Sequence, residues 1–304
     1  MSKTILPNEM LALIDINPPY FAFGEIFEEN EYVFASVPVE QPMGYEAGPI
    51  SAAEASRHLA ILGVCSCALK NTVKKRHYYL AYHGIFERVD SHSGISSTQP
   101  LTGKATCISV DKRKAEAVTE LLDQNGDTII KLRVFYHVIL DTTFERLYKD
   151  HFIEKPNFSI PNPYSIKHDY VSLKKTASII SASMGNIPEC FCAGHFPNYP
   201  ALPVAILAYN LFDMACRLLT CSLPKDTKVF IRSYEITADN LAFAGDDVSL
   251  QVEYTEQQGF NHHLSAEGTA NGTKSIGRIN MILEPAEQEE LCFVQKNAYI
   301  LNHQ

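Results

Sequence analysis

The chain of 304 residues contains no Cys-x-x-Cys pair, and its eight cysteines are too sparse for a disulfide scaffold, so thiols in a reducing compartment are expected. It has no basic excess. With 26 Lys and Arg against 35 Asp and Glu, the net charge of −9 argues against nucleic acid or an anionic membrane as the main partner. Long uninterrupted apolar runs are also missing: the longest, Ala201 to Leu219, is broken by Asn210, Asp213 and Arg217, so no membrane span is expected. Met1-Ser2-Lys3-Thr4 lacks the basic-then-apolar build of a signal peptide, and the expected location is cytoplasmic. The nearest approach to a metal motif, Cys190-x-Cys192 followed by His195, has the wrong spacing for a structural zinc site. Neither a metal nor a cofactor is called for.

What is present is strand-rich. Leu11 to Asp15 and Tyr32 to Val37 read as short strands, and Gly48-Pro49-Ile50 opens a helical segment running to about Leu69 with Ser51 as a cap. Ala52, Ala53, Ala55 and Ala60 make that helix slim enough for a sheet to approach closely. A basic loop, Lys70 to Arg76, leads into four strand patterns: His77 to Val89, Leu101 to Val110, Ala115 to Leu122 and Thr128 to Leu140. Residues 1–149 are read as a first unit and the proline-spaced stretch 150–164 as a linker. In the second unit, 165–286, strands are expected near 169–173 and 178–183, a helix from Val204 to about Cys221, and four further strands. Residues 287–304 are expected to form a loosely held tail.

The most informative stretch is Gly194-His195-Phe196-Pro197-Asn198-Tyr199-Pro200-Ala201-Leu202-Pro203, directly before the second helix. Three prolines leave this loop few conformations, so the imidazole is held where the chain puts it. The element order of the two units matches, and sliding one helix on the other at an offset of 155 residues aligns Pro42 with Pro197, Glu54 with Tyr209 and His58 with Asp213. A tandem duplication accounts for this order.

On these residues the chain resembles the hot-dog-fold 3-hydroxyacyl-thioester dehydratases, which act on acyl chains held by acyl-carrier protein. Their signature is G-H-F-P-G-x-P-x-x-P-G with a Glu or Asp fourteen residues after the histidine. Gly194, His195, Phe196, Pro197, Pro200 and Pro203 match, whereas Asn198 and Val204 replace two glycines and Tyr209 stands at the carboxylate position. Gly245-Asp246 is similar to the family's Gly-Asp turn. The resemblance implies an α+β double hot-dog, with two curved antiparallel sheets each wrapped around a long central helix. It also implies a composite site in which the histidine of one unit meets the carboxylate of the other: His195 as base and Glu54 as acid, with Glu40 and Tyr209 at the abandoned counterpart. The Val204 N–H is the expected donor to the thioester oxygen. Tyr209, Asn210, Asp213 and His58 are the further candidate substrate contacts.

The expected reaction is therefore dehydration of a 3-hydroxyacyl thioester, carried by acyl-carrier protein or coenzyme A, in fatty-acid or polyketide-type biosynthesis. Two alternatives stand beside it: an acyl thioesterase of the same fold, and a non-catalytic hot-dog protein that binds acyl chains or scaffolds a partner. The Lys70, Lys74, Lys75 and Arg76 cluster is a candidate dock for phosphates or an acidic carrier. Whether the units pair within one chain or between the chains of a homodimer stays open.

Overall fold

The computed structural model describes residues 3–89, 99–158 and 162–286, so the expected tail 287–304 lies outside the described residues. The first unit contains β1 (Lys3–Ile5), α1 (Pro7–Leu11), β2 (Ile26–Glu29), β3 (Tyr32–Val37), α2 (Ala52–Lys70), β4 (His77–Arg88), β5 (Leu101–Val110), β6 (Lys114–Leu122), β7 (Thr128–Leu140) and α3 (Asp141–Leu147). The second contains β8 (Ser172–Lys175), β9 (Ile179–Asn186), α4 (Val204–Thr220), β10 (Val229–Thr237), β11 (Asp247–Gln258), β12 (Asn261–Ala270) and β13 (Lys274–Pro285). Some details differ from expectation. Leu11 ends a short helix that begins at Pro7 rather than opening a strand, α3 follows β7 without a break, and the strands expected near 169–173 and 178–183 run over Ser172–Lys175 and Ile179–Asn186.

Among the described residues the strands form one sheet of 13, in the order β1-β2-β3-β5-β6-β7-β4-β10-β13-β12-β11-β9-β8, with every pairing of these strands antiparallel. This corrects the expectation of two separate sheets. The joint is the β4–β10 ladder, where Tyr234 pairs with Phe86 and Ile236 with Gly84. Pairing satisfies two strands that would otherwise present open hydrogen-bonding edges. The rings of Phe86 and Tyr234 stack across it at 4.7 Å.

Helix α2 packs on β3, β5, β6 and β7, α4 packs on β9, β11 and β12, and the two helices meet each other. Both are buried nearly all round, which explains why α2 carries no polar face to speak of. Close approach on the α2 side depends on Gly63. A Cβ there would lie 2.5 Å from the Tyr136 hydroxyl and 3.1 Å from the Ala117 Cβ. Tyr136 is 1 % exposed and donates its hydroxyl hydrogen to the Ala60 carbonyl, so its ring has nowhere to retreat.

Gly63→Ala is expected to destabilise the protein by about 1–3 kcal/mol through overpacking, despite alanine's advantage of about 1 kcal/mol in a helix interior. Adding Tyr136→Phe, which removes the obstructing oxygen, should recover part of that loss. Urea unfolding of the single and double variants checks both statements, and equal stability of Gly63→Ala and the parent would refute the account.

Candidate active site

The site is built where the second unit's histidine loop meets the first unit. Gly194 adopts a positive φ of +81° and lies so close to the Asn17 carbonyl and Tyr20 N–H that a Cβ would collide with both. Its own carbonyl accepts the Asn17 N–H at 2.9 Å. The loop is gripped from the other side by aromatics: Phe196 packs edge-on against Tyr78 of β4 (4.9 Å) and Phe144 of α3 (5.3 Å). Tyr78, Phe144 and Phe196 are all buried.

Within this grip His195 is fully tethered. Its N–H donates to the Cys192 carbonyl (2.8 Å), its carbonyl accepts the Ala201 N–H (3.1 Å), and Nδ1 lies 3.0 Å from the Ala201 carbonyl. A carbonyl can only accept, so Nδ1 carries the proton and Nε2 is left as the basic nitrogen. Loss of hydration pushes the imidazole's pKa down to about 4, against the opposing pull of the Ala201 carbonyl. At neutral pH the ring is uncharged. The Tyr20 ring meets it edge-on at 4.9 Å.

His195 lines a cavity of about 290 Å³ to which both units contribute. Ala53, Ser56 and Arg57 come from α2; Val204, Ala205 and Ala208 come from α4. Its walls are otherwise largely aliphatic and aromatic, which suits an acyl chain. Val204 and Ala205 are the first two residues of α4, whose N–H groups have no acceptor within the helix. Pro203 occupies the N-cap and supplies no side-chain bond. The equivalent end of α2 is filled: Ser51 Oγ accepts the Glu54 N–H (3.1 Å) and Glu46 Oε1 accepts the Ala52 N–H (2.6 Å). Burial raises the Glu46 carboxyl to about 7, with Arg88 3.5 Å away pulling in the other direction.

The structure does not bring Glu54 into this cavity. Glu54 is 1 % exposed, and its Oε1 accepts the N–H groups of Glu40 (2.7 Å) and Gln41 (3.1 Å). The repeat register explains the misplacement. Ser51 and Pro203, the two N-caps, are 152 residues apart rather than 155, and Pro49 lies before the helix rather than opening it. The sixth residue after Pro203 is Tyr209, and the sixth after Ser51 is Arg57. An arginine, not a carboxylic acid, therefore stands at the matching position of α2 and lines the cavity that His195 lines.

Of the other candidates, Val204 lines the cavity and the rest do not. Tyr209 donates its hydroxyl hydrogen to the Pro42 carbonyl (3.1 Å). Asn210 donates from Nδ2 to the Ile206 carbonyl (2.8 Å) and lies 3.1 Å from His168 Nδ1. Asp213 pairs with Arg217 (2.7 Å) and Lys167 (3.5 Å). His58 sits against Arg57 (3.1 Å) and Phe23, and burial lowers its pKa. In the basic loop, Lys74 binds the last carbonyls of α2 and Arg76 pairs with Asp15 at 3.3 Å. Arg57, Tyr20, Phe144 and Asn17 were not singled out by sequence. Arg57 alone had a usable signal, its position relative to the helix cap. Among the described residues no group of three or more His, Cys, Asp or Glu side chains could hold a metal ion, and no helix is long and apolar enough to cross a membrane.

No protein-family model matches the sequence, and no curated protein matches it. Solved structures do. An acyl-ACP thioesterase from Bacteroides thetaiotaomicron aligns with TM-score 0.53 at 12 % identity, covering 84 % of this chain and 98 % of its own. The 12:0-ACP thioesterase from Umbellularia californica aligns with TM-score 0.54 at 9 % identity, covering 89 % and 100 %. A protein of unknown function with a hot-dog fold from Alicyclobacillus acidocaldarius aligns with TM-score 0.52 at 7 % identity, covering 86 % and 96 %. The chain has the hot-dog fold. These findings overturn the expectation of a dehydratase: the two of these solved structures whose activity is named are both thioesterases. The cavity, moreover, holds no carboxylic acid facing His195 from α2.

His168 behaves as His195 does. Its Nε2 donates to the Pro163 carbonyl (3.0 Å), and burial pushes its pKa down to about 4. A histidine whose folded pKa is depressed supports the fold fully above the unfolded value near 6.5, and that support is lost as pH falls towards 4. Each is expected to cost the folded state on the order of 3 kcal/mol across that window. The difference in unfolding free energy between the protein and a His168→Gln, His195→Gln double variant should change between pH 6.5 and 4 and be flat above 7. A difference flat throughout would refute the assignment.

Proposed function

We propose that this protein is a double hot-dog acyl-thioester hydrolase, acting on acyl chains carried by coenzyme A or an acyl-carrier protein. The observation that carries the reading is the junction of a neutral, tethered His195 with the unfilled N-terminus of α4 on one apolar cavity. The thioesterases that share the fold support the same choice of reaction.

In this reading the acyl chain lies in the cavity with its carbonyl oxygen on the Val204 and Ala205 N–H groups. His195 Nε2 takes a proton from water as the water oxygen bonds to the carbonyl carbon. The negative charge that develops on the carbonyl oxygen is met by the two N–H groups and the positive end of α4. When the intermediate collapses, the carbon–sulfur bond breaks and the imidazolium returns its proton to the departing sulfur. Hydrolysis needs one proton carrier and one oxyanion site, and no second acid.

Release of free thiol from acyl-coenzyme A and acyl-carrier substrates tests the proposal. His195→Ala should lower kcat/KM by about 10²-fold or more while leaving the fold intact. Val204→Pro deletes one donor at the first helical position, which proline suits, and should lower kcat by about 10²-fold. Turnover by His195→Ala within about threefold of the parent would end this mechanism.

A further inference from the structure

Arg57 is the unexplained group in the cavity. It is 3 % exposed, and one terminal nitrogen, Nη2, is engaged by Glu40 at 2.9 Å and by His58 at 3.1 Å. Nε and Nη1 are buried without any hydrogen-bond partner. A guanidinium carries five N–H donors, and burying donors unmatched costs free energy that native structures seldom leave uncompensated. Its plane lies over the Tyr164 ring at 4.5 Å, which fixes the head group in place. Tyr164 in turn contacts Tyr20 at 5.4 Å, and Tyr20 contacts His195 at 4.9 Å. Arg57 and His195 thus line the same cavity with Tyr20 between them.

We propose that Arg57 is a specificity-determining substrate contact, and that the preferred acyl group carries a neutral oxygen, a keto or hydroxyl group, close to the thioester. The inference rests on the hydrolase reading and adds the substrate class to it. The charge balance decides which oxygen. Arg57 has two carboxylates beside it, Glu40 at 2.9 Å and Glu54 at 3.8 Å, and His58 is held neutral by burial. A further carboxylate on the substrate would join two carboxylates already grouped around one guanidinium, so a dicarboxylic acyl chain is disfavoured. A carbonyl or hydroxyl oxygen accepts the free N–H groups without that cost. The position decides against a role as oxyanion donor, because Arg57 reaches His195 only through the successive rings of Tyr164 and Tyr20, whereas Val204 and Ala205 follow the histidine loop directly.

The test compares octanoyl-, 3-oxooctanoyl- and 3-hydroxyoctanoyl-coenzyme A as substrates of the parent, Arg57→Met and Arg57→Lys. The parent should favour an oxygenated substrate by about 10- to 100-fold in kcat/KM. Arg57→Met should bring that ratio near one by a larger loss on the oxygenated substrates than on octanoyl-coenzyme A, and Arg57→Lys should restore part of the ratio. A parent without preference overturns the proposal whatever the variants do. Equal loss on all substrates also overturns it, by making Arg57 a structural or oxyanion group. If no thioester is hydrolysed, the hydrolase reading fails separately. Calorimetry with non-hydrolysable analogues, in which a methylene replaces the thioester sulfur, then reads the same preference as binding. Equal affinity for plain and 3-oxo analogues would overturn the Arg57 assignment.

Discussion

The pairing of β4 with β10 is the constraint on which the rest depends. It turns two half-sheets into one and sets the faces of α2 and α4 against each other. His83 and Gly84 on one side of that seam, and Tyr234 and Ile236 on the other, line the cavity, so the space for a ligand exists only because the seam closes. Gly84 matters at this joint: a Cβ there would sit 3.1 Å from the Ile236 methyl. The loop between β9 and α4 reaches back to the first unit through Gly194 and Asn17, and the seam holds those two within hydrogen-bonding distance.

A near-symmetric frame has produced two unlike helix ends. Every helix start leaves N–H groups without internal partners, and these must be met by side chains, solvent or ligand. At α2 the demand is met internally by Ser51 and Glu46, and Glu46 is itself stabilised by Arg88. At α4 the cap is a proline that offers nothing, and the donors stay open beside His195. The same division appears one turn further in. Tyr209 spends its hydroxyl on Pro42, whereas Arg57, at the matching position from its cap, keeps two nitrogens free.

Much of the frame was legible in the sequence because strand alternation and turn residues are local signals. The spans from His77 to Arg88 and from Thr128 to Leu140 show this, each read close to its observed limits. The histidine loop was legible for the same reason. What was not legible is long-range. Tyr20, Phe144 and Tyr164 position the site from segments without periodic pattern, and nothing local marks them. The single sheet was hidden because the choice between two sheets and one rests on the β4–β10 contact, made by residues roughly 150 positions apart. The acid was misplaced for a more specific reason. Aligning Pro42 with Pro197 assumes equal loops before the two helices, but the caps reveal a three-residue difference. Three residues along a helix return to nearly the same face about 4.5 Å away, so Glu54 and Arg57 were rivals for one position.

That displacement by one turn changes the chemistry available. Dehydration asks for a group that gives a proton to a departing hydroxyl, and a guanidinium stays protonated at any working pH, so it cannot act as that acid. Glu54 does not replace it, because the side chain does not line the cavity. The retained histidine still has a task, since hydrolysis needs only a base that later returns its proton. On the proposed reading, the substitution of a proton donor by a fixed cation converts a two-proton lyase site into a one-proton hydrolase site, while the freed donors of Arg57 pass from reaction to recognition.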